Sequence, residues 1–485
     1  MTTPAPAVAT PPAPAVATPR APAAATSRVA AMATPRAPAV TTSDGAALAT
    51  PGTADLPRIV VTPGVVDVGQ TSRLAPPTTA VCQKAFGVAC YEPTQIRSAY
   101  SLPALYAKGV TGKGTTIVIV DSFGSPTIKS DLATFDRQFR FPAPPSFRII
   151  TPAGKIPAYN PTNANMIGWA TETTLDVEYA HTIAPGANIL LVETPVSETE
   201  GVTGFPQIVK AEEYVINHRL GDVISQSFSA TEETFASSRQ LAPLRAAYTD
   251  AYAHGVTVLA ASGDSGATDF GPNGSTLYTR PVTSWPDSDP LVTGVGGTQL
   301  IEGKNGTWTS VVWNDTYDKH IVGNTPNPVA GGGGLSEFFT RPSYQNGVAN
   351  ITGNKRGVPD VSMSAACDGA VDIYTSFGGA PAGWSTICGT SEATPEFAGI
   401  VALADQVAGH PLGLINPTLY YLSATRARGI VDVTKGNNTV SFKQGGKLVT
   451  VKGFSARPGY SLASGVGTIN ALYLVPELAH PAKRP

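Results

Sequence analysis

Five short runs of aliphatic and β-branched residues punctuate the middle of the chain: TTIVIVDSF over 115–123, ANILLVETP over 187–195, DVISQSFS over 222–229, GVTVLAASGD over 255–264 and LVTGVGGT over 291–298. Their apolar stretches lack the alternation of a strand with one wet face and fit strands buried on both sides. The segments between them are long enough for helices. Residues 207–220 and 240–254 read as such, the second with Leu241, Leu244, Ala247 and Ala251 along one stripe. Strand and helix in alternation predict an α/β protein with a central, mostly parallel sheet covered by helices. In such sheets the site forms beyond the carboxyl ends of the strands, and Asp121, Ser227 and Asp264 stand at those ends.

The amino-terminal part has a different texture. Residues 1–57 hold no aromatic residue, three Arg and two Asp, and repeat APAVATP and ATPRAPA twice each. A segment so poor in large apolar groups has too little surface to bury to offset the entropy of ordering. We therefore expect a disordered, Pro-stiffened tail or reduced prosegment over 1–80 and a folded domain over 81–478.

Composition narrows the function. With 33 Lys and Arg against 35 Asp and Glu, nothing in the balance points to nucleic acid or an anionic membrane as partner. No run of 18 apolar residues is present, so no membrane span is expected, and a monomer is. The start lacks a basic segment followed by an apolar one, the usual mark of secretion. The four cysteines nevertheless form two local pairs, Cys82 with Cys90 and Cys367 with Cys388, as two disulfides would. Spacing does not fix their connectivity. An extracellular location is the expectation.

Candidate chemistry centres on CGTSEATPEFAGIVAL over 388–403, where Ser391 stands at the start of a helix-like run. A hydroxyl there gains from the helix dipole and from free N–H groups that can hold an anionic intermediate. Taken alone, the same serine reads as an N-cap. A nucleophilic serine needs a base, usually His, yet none of the six histidines has a suitable setting; His181, just before APG, reads as packing or capping. In GWATETTLDVEYAHTIAPGA, over 168–187, Glu172 and Asp176 are four apart and share one helix face, with Cβ atoms ~5–6 Å apart. Two carboxyls so close should share a proton, one pKa lowered and one raised. Such a pair can accept a proton in acid, where imidazole is already charged.

Together ETTLDVEYAHTIAPGANI, VISQSF, ASGDSGATD, WPDSDPLVTGVGGT, GGGGLSEFFTRPSYQ, RGVPDVS and GTSEATPEFAG resemble the sedolisins, the serine-carboxyl peptidases, in family order over roughly residues 90–475. The resemblance implies a subtilisin-like three-layer fold and an acid-acting serine endopeptidase that forms an acyl-enzyme on polypeptide substrates. It implies Ser391 as nucleophile, Glu172 as general base, Asp176 as its partner and Asp264 as an oxyanion donor that must hold a proton. Asp121 is read two ways, as an extension of the proton-sharing chain or as a turn cap. Ser225 and Ser227 resemble the strand that pairs with substrate backbone. The family's calcium site would map to Asp432, Val433, Arg457, Gly459 and Ser461, where Ser461 replaces a closing Asp, so calcium should be weakly held or absent. Two alternatives remain: a catalytically silent, tail-tethered peptide binder, and a conventional subtilisin using an unrecognised His, with His181 the nearest suspect. The filled catalytic positions favour the acid peptidase.

Overall fold

The computed structural model describes residues 66–72, 74–380 and 382–481, so most of the expected tail lies outside the described residues. Where the chain enters them, a strand lies inside the stretch expected as tail or reduced prosegment. The strand Val66–Ser72 pairs antiparallel with Gly383–Cys388, Val66 opposite Cys388. Composition could not reveal this, because the partner lies more than 300 residues away.

The main sheet has eight strands. Trp308–Val312 lies at one edge, followed by Thr293–Glu302, Thr257–Ala261, Val223–Gln226, Thr116–Ser122, Asn188–Thr194 and Phe147–Ile150, with Val361–Ser364 also pairing Thr293–Glu302. Neighbours run parallel except the Thr293–Glu302 and Trp308–Val312 pair. All five predicted runs are strands of this sheet. Alternate residues of one of them show why both faces had to be apolar: Ile117 and Ile119 pack with Leu175, Phe397 and Ile400, whereas Val118 and Val120 pack with Ile208, Val215 and Tyr248 on the opposite face. Each such buried side chain contributes ~1.5–3 kcal/mol. Helices cover both faces, giving three layers.

The helix expected over 207–220 spans Phe205–Asn217. That expected over 240–254 is broken into Ser238–Leu244 and Ala246–His254, and Pro243, which lacks an N–H to donate, accounts for the interruption. A smaller sheet joins Val66–Ser72, Gly383–Cys388, Ala370–Thr375 and Cys90–Tyr91. Both cysteine pairs are disulfides, Cys82–Cys90 and Cys367–Cys388, the second at the end of the strand that leads to Ser391.

Candidate active site

Two helices frame the site. Ala164–Ile183 begins at Asn163, whose side chain accepts the N–H groups of Asn165 and Met166, and ends just before Pro185. Thr390–Ala408 carries Ser391 as its second residue, so the serine stands within the first turn rather than at the N-cap, which is Gly389. The helices cross where Gly399 meets Ile183; a Cβ at Gly399 would come within 2.5 Å of the Ile183 Cβ. That close crossing brings Ser391 beside Glu172.

Ser391 is 2% exposed, while Glu172 and Asp176 are fully buried. The Ser227 hydroxyl donates to Asp176 Oδ1 at 3.0 Å. Neither oxygen of Glu172 is in hydrogen-bond geometry, although the Ser391 hydroxyl is near enough to favour its charged form. Catalytic hydrogen bonds in free enzymes are often long and tighten only with substrate. Burial pushes the Glu172 carboxyl well above the usual range, the Asp121 charge pushes it further, and Ser391 works against them. Asp176 is raised by the same burial, then by Asp121 and Glu172. The expectation that one member would be lowered is therefore corrected: complete desolvation acts on both. Asp121, 1% exposed, is itself raised to about 7, mainly by burial. The three carboxyls titrate as a group.

Asp264 reaches the site from the loop after Thr257–Ala261. Its Oδ1 accepts the Thr390 N–H at 2.7 Å and the Thr390 hydroxyl at 2.8 Å. The Gly263 N–H donates to the same hydroxyl at 3.2 Å. The GGGG segment holds this loop from behind, the Gly332 N–H donating to the Gly263 carbonyl at 2.7 Å. A Cβ at Gly332 would fall 1.9 Å from the Ser262 carbonyl oxygen, so the approach requires glycine. Thr390 went unremarked in the sequence although it lies inside the GTS motif. Its role depends on a partner 126 residues away, and only the fold supplies that.

Other expected residues are placed differently. Ser225 is fully buried between Ile119 and Leu259 on neighbouring strands, so both its edges are occupied and it offers none to a substrate. Ser227 lies past the strand end with its hydroxyl engaged by Asp176; the assignment to substrate pairing is corrected for Ser225. His181 lies with Nε2 2.8 Å from the Pro142 carbonyl oxygen and 3.2 Å from Asp136, and packs against Phe141. At the carboxyl-terminal loop, Asp432 Oδ1 accepts the Gly459 N–H at 2.9 Å. The Ser461 hydroxyl is bound to that of Ser464 at 2.9 Å, and Val433 is buried in a small apolar cluster. With a single carboxylate and its hydroxyl turned to Ser464, this set does not fit calcium, which favours several oxygen ligands with carboxylates among them.

Comparison with known proteins gives the chain its family. Residues 153–446 match the Subtilase family, and the chain belongs to that family. Its likeness within the family is to the sedolisins. It is 31% identical to kumamolisin of Bacillus sp. (strain MN-32) over 402 residues, 81% of this chain and 64% of that protein. It is 30% identical to human tripeptidyl-peptidase 1 over 331 residues, 64% of this chain and 52% of that protein. The chain thus spans less than two thirds of the length of these curated relatives. The solved structure of Pseudomonas sedolisin, a serine-carboxyl proteinase complexed with pseudo-iodotyrostatin, superposes with a TM-score of 0.65 at 24% identity, covering 80% of this chain and 97% of that one. The subtilisin-like sedolisin fold is the one this chain adopts. Among the described residues no helix is long and apolar enough to cross a membrane.

Proposed function

We propose that this chain is a serine endopeptidase that works in acid through Ser391, Glu172 and Asp176. The reading is carried by the meeting of three separate parts of the chain: Ser391 at a helix start, the buried Glu172/Asp176 pair, and Asp264 bound to the residue before the serine. Glu172 takes the proton of Ser391 Oγ as that oxygen attacks the substrate carbonyl carbon. Negative charge moves to the carbonyl oxygen, which receives hydrogen bonds from the Ser391 N–H and from a protonated Asp264. Collapse breaks the C–N bond, the departing amine takes the proton from Glu172, and an ester remains on Ser391. Water then attacks the ester carbonyl, giving its proton to Glu172; the bond to Ser391 Oγ breaks, Oγ takes that proton back from Glu172, and the acid product leaves. Asp176, fixed by Ser227 and neighbouring Asp121, orients Glu172. Its raised pKa makes Glu172 a stronger base than an exposed carboxylate.

Asp264 must keep its proton while the Asp121, Glu172 and Asp176 group gives one up, so activity should peak below neutral pH. Digestion of an amino-blocked peptide library across the pH range tests this. The wild type should cut internal bonds with a maximum below about pH 7, Ser391→Ala should cut none, and His181→Ala should remain largely active. A maximum at alkaline pH or persistent hydrolysis by Ser391→Ala would overturn the mechanism. Release of tripeptides solely from free amino termini would overturn the endopeptidase mode. The two disulfides support work outside the reducing cytosol on polypeptide substrates, and we expect the protein to act as a monomer. The closed Asp432 and Ser461 contacts favour a fold that needs no calcium. Chelator should leave Tm unchanged, and a drop of several degrees restored by calcium would refute this.

A further inference from the structure

A cavity of about 180 Å³, sized for one amino-acid side chain, opens at the carboxyl ends of two adjacent strands of the main sheet. Phe123 and Ser125 line it from the loop after Thr116–Ser122, Glu193 from the end of Asn188–Thr194, and Pro157, Tyr159 and Met166 from the approach to the Glu172 helix. Its place relative to the chemistry follows from the backbone. Glu193 is the register partner of Asp121, which acts on Glu172. Met166 is six residues before Glu172 on one helix, a rise of ~9 Å. An extended substrate advances ~3.3 Å per residue, so a side chain two or three residues from the scissile bond spans that distance.

The lining has a definite chemistry. Phe123, Pro157, Tyr159 and Met166 provide apolar walls for an aliphatic stem. The Ser125 hydroxyl is buried with no hydrogen-bond partner, and the Glu193 carboxyl borders the same space. Phe123 has φ +60°, a conformation that bulky side chains rarely adopt, held by its N–H to the Thr194 carbonyl at 2.9 Å. An unpartnered hydroxyl oxygen able to accept, a carboxyl and apolar walls around a volume of one side chain call for a long stem with a basic head.

We propose that this cavity is a specificity subsite for a Lys or Arg side chain of the substrate, with Glu193 and Ser125 receiving its cationic head. The proposal rests on the peptidase reading above. Burial raises Glu193 to about 7, and the other titratable groups bordering it are Asp121 on the adjacent strand and Tyr159 across the cavity, neither of them a cation. A bound ammonium or guanidinium would draw the Glu193 proton off, so preference for basic over apolar side chains should grow as pH rises from about 4 to about 6.

The test uses amino-blocked peptides identical except for Lys, Arg or Met placed in turn at each position flanking the cleaved bond. At one position the wild-type kcat/KM ratio of Lys to Met should reach about tenfold near pH 6 and shrink near pH 4. Glu193→Gln should lower that ratio about tenfold, as expected for loss of a charged partner, and Ser125→Ala by a few-fold. A ratio within about twofold at every position, or one unmoved by Glu193→Gln, overturns the subsite. Calorimetric binding of the same peptides to the Ser391→Ala protein reads the subsite without turnover. A Lys preference there, lost on adding Glu193→Gln, supports the subsite even if no cleavage is found, and its absence overturns the subsite even if cleavage is found.

Discussion

The two helices that cross at Gly399 each carry a buried pair of carboxyls four residues apart, Glu172 with Asp176 on one and Glu392 with Glu396 on the other. All four side chains are fully buried, and burial pushes all four well above the ordinary carboxylate range. The surroundings differ. The first pair meets the Ser227 and Ser391 hydroxyls and the Asp121 carboxyl. The oxygens of Glu392 and Glu396, like those of Glu172, are outside hydrogen-bond geometry, and the hydroxyl that gives Glu392 some relief is Ser364, not the nucleophile. Spacing and burial are therefore shared by a pair that faces a nucleophile and a pair that faces the core. A reacting group within reach, rather than the carboxyl pattern, separates them.

That contrast is most directly broken by neutralising one carboxyl of each pair. Glu172→Gln should lower kcat/KM by ~10²–10⁴-fold through loss of the base, whereas Glu396→Gln should cost less than about tenfold at acidic pH. Equal losses in steady-state assays at about pH 4 would erase the distinction. A smaller effect is expected at Asp264, whose amide replacement is informative. In Asp264→Asn the retained oxygen can still accept from Thr390 while the amide N–H₂ donates toward the oxyanion. Asp264→Ala should lose ~10²–10³-fold in kcat. Asp264→Asn should lose less and keep its activity to higher pH, because an amide does not titrate. An unmoved alkaline limb in an active Asp264→Asn enzyme would remove Asp264 from the oxyanion site.

Much of the fold is legible in the sequence. The strands were readable because a sheet covered on both faces demands unbroken apolar runs, as in TTIVIVDSF. Glu172, Asp176, Asp264 and Ser391 could be singled out as candidates because the motifs around them occur in family order. Three features were hidden for definite reasons. Ser225 falls in a motif that points to substrate pairing, and only the sheet order reveals that both its edges are taken. The strand Val66–Ser72 follows a low-complexity stretch and owes its pairing to a partner far along the chain. Glu392 and Glu396 sit inside GTSEATPEFAG, where a charged residue reads as solvated, yet they are fully buried. Burial of an acid without a cation or a hydrogen bond leaves no local signal, since its cost is met by the rest of the core.

That cost has a signature in stability. An unfolded Glu loses its proton near pH 4.3, while in the folded chain burial holds the Glu392 and Glu396 protons to much higher pH. Glu198, Glu212 and Asp405 behave alike, each raised to about 8 by burial. The folded state therefore binds more protons than the unfolded one, so stability is full below about pH 4, falls as pH rises, and levels off above the folded pKa values. Calorimetry should find Tm lower at about pH 8 than at pH 4 by roughly 5 °C or more. In Glu396→Gln the share of that fall due to Glu396 should vanish, raising Tm by a few degrees at about pH 8 relative to wild type, with little change at pH 4. A wild-type Tm that is flat or rising over this range would mean that the buried acids find relief that their surroundings do not provide.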